Sequence, residues 1–144
     1  MVPRTPGARP TVLVVEDDEA VTRMLRFSLR TAGFDTAEAA CGMEALRALE
    51  DGDMDAVVLD LGLPDGLAGT VLDRLRRPGG RGLPVWVVIS ALDCHEAAAR
   101  YGRLGCHFVG KPFDPWELAR LLDRLLADRP VTTPADRTQE EPSP

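Results

Sequence analysis

The chain alternates between short apolar runs and longer stretches in which apolar residues recur at helical spacing. Residues 12–15, 56–59 and 85–89 are three continuous apolar runs. Unbroken runs rich in β-branched residues are typical of strands buried on both faces, as in a parallel sheet covered by helices. Residues 34–39 and 107–109 mix polar with apolar positions, and we expect them to be strands near the edges of that sheet.

Helical patterns fill the intervals between these runs. The first predicted helix has one face formed by Val21, Met24, Leu25, Ser28, Leu29 and Ala32. The last begins with Asp114 as N-cap and Pro115 at the first helical position, and Asp93 with Glu96 marks a helix start after the fourth strand. Five strand–helix units with right-handed crossovers predict an α/β protein with an open, doubly wound sheet.

The composition is that of an ordinary globular protein, with 44% hydrophobic and 28% charged residues among 144. Proline-rich flanks predict disorder in residues 1–10 and 129–144, which leaves residues 11–128 as the folded domain. A net charge of −6 argues against a dedicated nucleic-acid binder. Sparse cysteines without C-x-x-C spacing, and no apolar run of membrane length, predict a cytoplasmic protein.

Polar residues follow the strands where doubly wound sheets bind ligands, beyond the carboxyl ends. They are Glu16, Asp17, Asp18 and Glu19 after the first strand, Asp60 after the third, Ser90 after the fourth and Lys111 after the fifth. Crowded carboxylates repel one another unless a cation lies between them, and hard oxygen ligands favour Mg²⁺. A lysine and a hydroxyl at the same edge suit a phosphoryl group, and aspartate can form an acyl phosphate.

Each of these residues also has a simpler interpretation when it is taken alone. Asp17 or Asp18 could cap the first helix, where the helix dipole favours negative charge. Asp60 and Ser90 could be turn residues, and Lys111 could be a solvated surface charge. The residue types alone therefore leave helix capping and metal binding both open for the acidic run.

Four segments together resemble the signature segments of response-regulator receiver domains. They read VLVVEDD at residues 12–18, LDLGLPDG at 59–66, ISA at 89–91 and KPF at 111–113. They occur in the family's order and at its spacing, over about residues 11–128. The resemblance implies a flavodoxin-like (βα)5 sandwich with a five-stranded parallel sheet of order 2-1-3-4-5.

The resemblance also implies a phosphorylation site with a bound metal ion. Asp60 would be the phosphoacceptor, and a sensor histidine kinase would donate the phosphoryl group from a phosphohistidine. Asp17 would bind Mg²⁺ together with Asp60 and the backbone carbonyl of Gly62. Glu16 would complete the acidic pocket.

A second group of residues would respond to phosphorylation. Lys111 would pair with the phosphoryl group, and the family usually has a cis bond before the following proline, here Pro112. Ser90 would be the switch hydroxyl and Phe108 the switch aromatic. Phe108 could instead be an ordinary core residue.

The expected function is that of a receiver domain in a two-component phosphorelay. The domain would catalyse only its own phosphorylation and dephosphorylation, so it is not expected to be a conventional enzyme. Its output would be the binding of an unknown protein or appended domain, with no direct contact to nucleic acid or membrane.

Three alternatives stay open for the whole protein. The chain could be the input half of a longer DNA-binding transcriptional regulator rather than a stand-alone receiver, or a pseudo-receiver that acts as an interaction module without phosphorylation. A phosphorylation-dependent homodimer is the third, although Cys106 and His107 stand where members that dimerise through the fifth strand carry an acidic pair. An aspartate-nucleophile phosphatase is disfavoured because Gly62 stands where that class needs a second acid.

Overall fold

A computed structural model describes residues 9–76, 84–91, 95–96, 99 and 107–128. The strands in these ranges are β1 (Thr11–Val15), β2 (Asp35–Ala39), β3 (Ala56–Asp60), β4 (Val85–Ser90) and β5 (His107–Gly110). The helices are α1 (Glu19–Thr31), α2 (Gly42–Asp51), α3 (Ala68–Arg76) and α4 (Pro115–Ala127). His95, Glu96 and Ala99 of the helix predicted after β4 are helical. Asp93, the expected start of that helix, lies outside the described residues, as do residues 1–8 and 129–144.

The five strands form one parallel sheet in the order β2-β1-β3-β4-β5, which confirms the order that the resemblance implies. β2 and β5, the two strands with mixed polar character, are the edge strands. In the sheet, β2 lies on one side of β1, and β3 lies on the other side of β1. The reversal of strand order therefore lies between β1 and β3, and ligands of such sheets bind beyond this point.

Alternate residues of the central strands pack on opposite faces of the sheet. On one face, β1 and β3 residues pack with α2 and α3 in a cluster that includes Leu13, Val15, Val57, Leu59, Ala45, Val71, Leu72 and Leu75. On the other face they pack with α1 and α4 in a cluster that includes Val12, Val14, Val58, Leu25, Leu29, Leu118 and Leu122. Burial of each large side chain contributes about 1.5–3 kcal/mol. All helices in the described ranges fall short, in length or in apolar character, of a membrane span.

The buried stripe of α1 is narrower than its sequence pattern predicts. Leu25, Ser28 and Leu29 are buried as expected, but Met24 is 43% exposed and Ala32 is the exposed C-cap. Met24 lies about 100° round the helix from Leu25, at the margin of the face that the sheet covers. Met24 and Ala32 therefore lie outside the buried part of the face that the sequence pattern predicts.

Two residues of the N-terminal flank contact the domain. The guanidinium of Arg9 donates hydrogen bonds to the backbone carbonyls of Arg30 at 2.7 Å, Gly33 at 3.2 Å and Phe34 at 3.3 Å. The carbonyl of Pro10 accepts from the backbone N–H of Asp35 at 2.8 Å. Of these three residues only Arg30 belongs to α1, and its carbonyl, in the last turn of the helix, accepts from Arg9 as well as from the Gly33 N–H at 3.1 Å. Among the residues that the structure describes, contacts with the domain thus include the two that precede residue 11.

Candidate functional site

Three carboxylates meet at the carboxyl ends of β1 and β3. Glu16 and Asp17 follow directly after β1, and Asp60 is the last residue of β3. One oxygen from each lies within 4.8 Å of the other two. Glu16 and Asp60 are only 3% and 5% exposed, whereas Asp17 is exposed. Two buried carboxylates and one exposed carboxylate therefore surround a point that solvent can reach.

Lys111 lies beside the two buried carboxylates. Its Nζ donates to Asp60 Oδ2 at 3.0 Å and to Glu16 Oε2 at 3.1 Å. Its backbone N–H donates to the carbonyl of Ser90 at 2.9 Å, which holds the residue against the end of β4. The peptide bond between Lys111 and Pro112 is cis, as the resemblance implies. Lys111 is also the single lysine of the sequence.

The charges of this cluster do not cancel. Burial raises the pKa of the Glu16 carboxyl above its ordinary value, although the Asp18 N–H and the Lys111 ammonium lower it in part; the nearby charge of Asp60 raises it further. Burial works against the charged form of Lys111, but hydrogen bonds to Asp60 and Glu16 outweigh it and raise the pKa of the ammonium. Lys111 therefore stays protonated, and one cation faces three acidic groups.

The acidic run after β1 divides into two roles. Asp18 is the N-cap of α1, with Oδ1 accepting from the backbone N–H of Ala20 at 2.9 Å and of Val21 at 3.3 Å. Glu16 and Asp17 belong to the carboxylate cluster instead. Asp18 therefore has the capping role that the sequence leaves open for the run, and Glu16 and Asp17 lie in a cluster of acids that could hold a metal ion.

The donor set fits a hard divalent cation. All three side chains offer carboxylate oxygens, the ligands that Mg²⁺ prefers, and Mg²⁺ needs only one or two of them because it keeps several waters. Gly62 lies next to the cluster, with its backbone N–H donating to Asp60 Oδ1 at 2.9 Å. Glu16, Asp17, Asp60 and Gly62 are therefore together where the sequence predicts a metal site.

Ser90 and Phe108 lie on the strands beside Asp60. Asp60 pairs with Ile89 in the sheet, so the buried Ser90 comes one residue beyond it, opposite Gly110 of β5. Phe108 is half-buried and packs against the core cluster that α2 and α3 cover. That contact is what the core interpretation of Phe108 predicts.

Asp65 has a role near the site that the sequence analysis missed. Its carboxylate accepts from the backbone N–H of Gly42 and of Met43, both at 3.1 Å, and from that of Leu67 at 3.3 Å. Burial alone would raise the pKa of Asp65, but these donors and the Cys41 thiol outweigh it and lower the pKa below its ordinary value. In the structure α2 begins after Cys41, whose side chain makes no capping bond, and Asp65 caps the helix instead.

The chain is similar in sequence to members of a known protein family. Residues 12–123 match the family described as the response regulator receiver domain. The DNA-binding response regulator MtrA of Mycolicibacterium smegmatis is 37% identical over 118 residues, which cover 81% of this chain and 51% of MtrA. The chain thus spans about half the length of the curated relatives that it matches.

Solved structures of similar fold agree with this result. A CheY-like receiver domain protein from Methanospirillum hungatei superimposes with a TM-score of 0.74 at 22% identity, covering 84% of this chain and 96% of that one. A CheY-like receiver domain from Methylobacillus flagellatus gives a TM-score of 0.72 at 25% identity, covering 82% of this chain and 99% of that one. The likeness extends over nearly the whole of each solved structure and over most of this chain.

Proposed function

The chain belongs to the response regulator receiver domain family, and on that premise we propose that Asp60 accepts a phosphoryl group from a sensor histidine kinase. The observation that carries the proposal is the placement of Asp60. Asp60 is only 5% exposed, its carboxylate lies 3.0 Å from the Lys111 ammonium, and it shares an edge of the sheet with Glu16 and Asp17. A nucleophile, a fixed cation and an acidic metal-ligand set are therefore together.

In the proposed reaction an Asp60 oxygen attacks the phosphorus of a phosphohistidine. The new O–P bond gives an acyl phosphate, the P–N bond breaks, and the imidazole of the kinase leaves. Lys111 neutralises charge on the phosphoryl oxygens. Asp17, Asp60 and the Gly62 carbonyl would hold Mg²⁺, with Glu16 completing the pocket, and the ion would supply further neutralisation of the transferring group. The domain catalyses only its own phosphorylation and dephosphorylation.

Phosphorylation would then act as a switch. It adds charge and acceptor oxygens at the end of β3, to which the Ser90 hydroxyl donates a hydrogen bond. Movement of Ser90 lets Phe108 repack, and the surface around β5 and α4 changes with it. The change is a population shift between two packings of the same fold.

A DNA-binding output would lie outside residues 11–128, the proposed receiver domain. The relative MtrA is named as DNA-binding and is about twice as long as the matched segment. We therefore favour the input half of a DNA-binding regulator, with residues 129–144 as linker, over a stand-alone receiver. The protein would act in the cytoplasm, where its kinase partner presents the phosphohistidine, and a phosphorylation-dependent homodimer would be one form of output.

Incubation with acetyl phosphate and Mg²⁺ tests the proposal, with the product followed by intact-protein mass spectrometry. The wild type should gain one phosphoryl group that hydroxylamine removes, as an acyl phosphate requires. The D60N variant should gain none, and D123N, which changes an exposed aspartate of α4, should match the wild type. Labelling of D60N at the wild-type level would show that Asp60 is not the acceptor. An unlabelled wild type would favour the pseudo-receiver.

A further inference from the structure

The loop between β3 and α3, residues 61–67, is bonded to the strands at its start and turns back on itself at its end. At its start, the backbone N–H of Leu61 donates to the carbonyl of Ile89 at 3.1 Å, and that of Gly62 donates to Asp60 Oδ1 at 2.9 Å. At its end, Asp65 accepts from the backbone N–H of Leu67 at 3.3 Å. Two residues separate Gly62 from Asp65, so the chain between the anchored start of the loop and Asp65 is short.

Asp65 also fastens this loop to a different part of the chain. Its Oδ1 lies 3.1 Å from the N–H of Gly42, and its Oδ2 lies 3.1 Å from the N–H of Met43. These are the first two amides of α2, which lack partners within the helix. The N-cap residue Cys41 makes no side-chain capping bond to them. A carboxylate 23 residues further along the chain therefore caps α2.

The approach of α2 to the loop depends on Gly42. A Cβ at this position would lie 2.5 Å from the Cβ of Leu67 and 3.1 Å from Asp65 Oδ1. Carbon atoms cannot approach to 2.5 Å without displacement of one backbone. Glycine at the start of α2 thus allows the contact that Asp65 makes.

We infer that Asp65 is a positioning residue for the metal site, because it holds the loop against α2 and so fixes the backbone carbonyl of Gly62. The inference rests on the proposed function, in which that carbonyl is a Mg²⁺ ligand. Asp65 touches neither the metal nor the phosphoryl group. Its removal should leave the carboxylates of Asp17 and Asp60 in place and weaken Mg²⁺ binding through the loop alone.

Isothermal titration calorimetry of the unphosphorylated protein with Mg²⁺ measures this effect directly. The dissociation constant of D65A should exceed that of the wild type by about three- to tenfold, the equivalent of one or two lost hydrogen bonds. D65N keeps one acceptor oxygen and should lie between them. E50A, which removes an exposed acid of α2 away from the loop, should bind as the wild type does.

A rescue variant separates positioning from simple helix capping. C41S supplies a local N-cap for α2, and serine is among the preferred residues there. In the C41S/D65A double variant the melting temperature should recover, while the Mg²⁺ dissociation constant stays raised. Recovery of both would overturn the inference, as would wild-type Mg²⁺ affinity in D65A or, if D65A does not fold, in D65N. A wild type that binds no Mg²⁺ would instead refute the proposed metal site, and the inference with it.

Discussion

The ammonium of Lys111 lies 3.0 Å from a carboxylate oxygen of Asp60, and the same ammonium lies 3.1 Å from Glu16. The side chain of Lys111, from the loop after β5, therefore places one positive charge between carboxylates at the ends of β1 and β3. Glu16 and Asp60 have side chains only 1% and 7% exposed, so solvent screens this contact less than an ordinary surface ion pair.

Replacement of Lys111 by methionine should affect stability and phosphorylation together. Two buried carboxylates would lose their cation, which should lower the free energy of unfolding by about 1–3 kcal/mol near neutral pH. Urea titration without Mg²⁺ measures this loss, and acetyl phosphate labelling should become markedly slower. R47M, a substitution at an exposed position of α2, is the control. Unchanged stability in K111M would mean that the ion pairs contribute nothing.

Substitutions of the neighbours Asp17 and Asp18 should affect different properties, Mg²⁺ affinity for Asp17 and stability for Asp18. D18A removes the N-cap of α1 and should lower the free energy of unfolding by about 0.5–2 kcal/mol, with Mg²⁺ affinity little changed. D17A removes a proposed ligand and should weaken Mg²⁺ binding while stability without metal is kept. Urea titration and calorimetry on both variants give the comparison. Equal effects of the two substitutions on Mg²⁺ affinity would contradict this division of roles.

The ion pair between Arg26 and Glu38 should make a small, pH-dependent contribution to stability. The guanidinium of Arg26 donates to both carboxylate oxygens of Glu38, at 2.9 Å to Oε1, and lowers the pKa of the Glu38 carboxyl. A lowered pKa in the folded state stabilises the fold above the unfolded value of about 4.3, and this contribution is lost as the pH falls through the folded value.

Both side chains are about one-third exposed, at 37% and 33%, so the effect should stay below about 1 kcal/mol. We expect E38Q to be less stable than the wild type near neutral pH and to approach it in acid. Urea titrations across this range, at low and high salt, measure the difference. A difference in the free energy of unfolding between E38Q and the wild type that widens in acid would contradict the expected pH dependence.

Loss of the Arg9 side chain should loosen the end of α1. Arg9 donates hydrogen bonds to the carbonyl of Arg30 in the last turn of α1 and to those of Gly33 and Phe34 just beyond the helix. A cation at this end of a helix also interacts favourably with the helix dipole. R9A should lower the free energy of unfolding by about 0.5–1.5 kcal/mol. Amide hydrogen exchange should quicken in the last turn of α1 and not in α3. Exchange that is unchanged at residues 28–34 would rule out the contribution of Arg9.

The sequence predicts the sheet well because its signals are local. β1, β3 and β4 are continuous apolar runs, and such runs have few alternatives in an α/β protein. The residues that end these strands, Asp60 and Ser90, follow from the same runs. Once the strands are parallel, their carboxyl ends must share one edge, so the meeting of Asp60 with Glu16 and Lys111 could be predicted without coordinates.

The contacts that could not be predicted join distant parts of the chain through backbone groups. Asp65 precedes a glycine, which indicates a turn, and nothing local shows that its partners are the amides of Gly42 and Met43. Arg9 lies in a proline-rich flank whose composition suggests disorder. Backbone amides and carbonyls are the same in every residue, so sequence patterns do not reveal which side chain will reach them.

Lys111 is the one lysine of this chain, so its ammonium group can be observed by NMR spectroscopy without overlap from other lysines. With one lysine in the sequence, selective ¹⁵N labelling of lysine would yield a single side-chain ammonium resonance, and that resonance would come from the atom between Asp60 and Glu16. Its chemical shift and proton exchange rate would follow the acidic pocket without interference from the many arginines. A solution experiment on the unmodified protein could therefore observe this cation directly as Mg²⁺ or a phosphoryl group arrives.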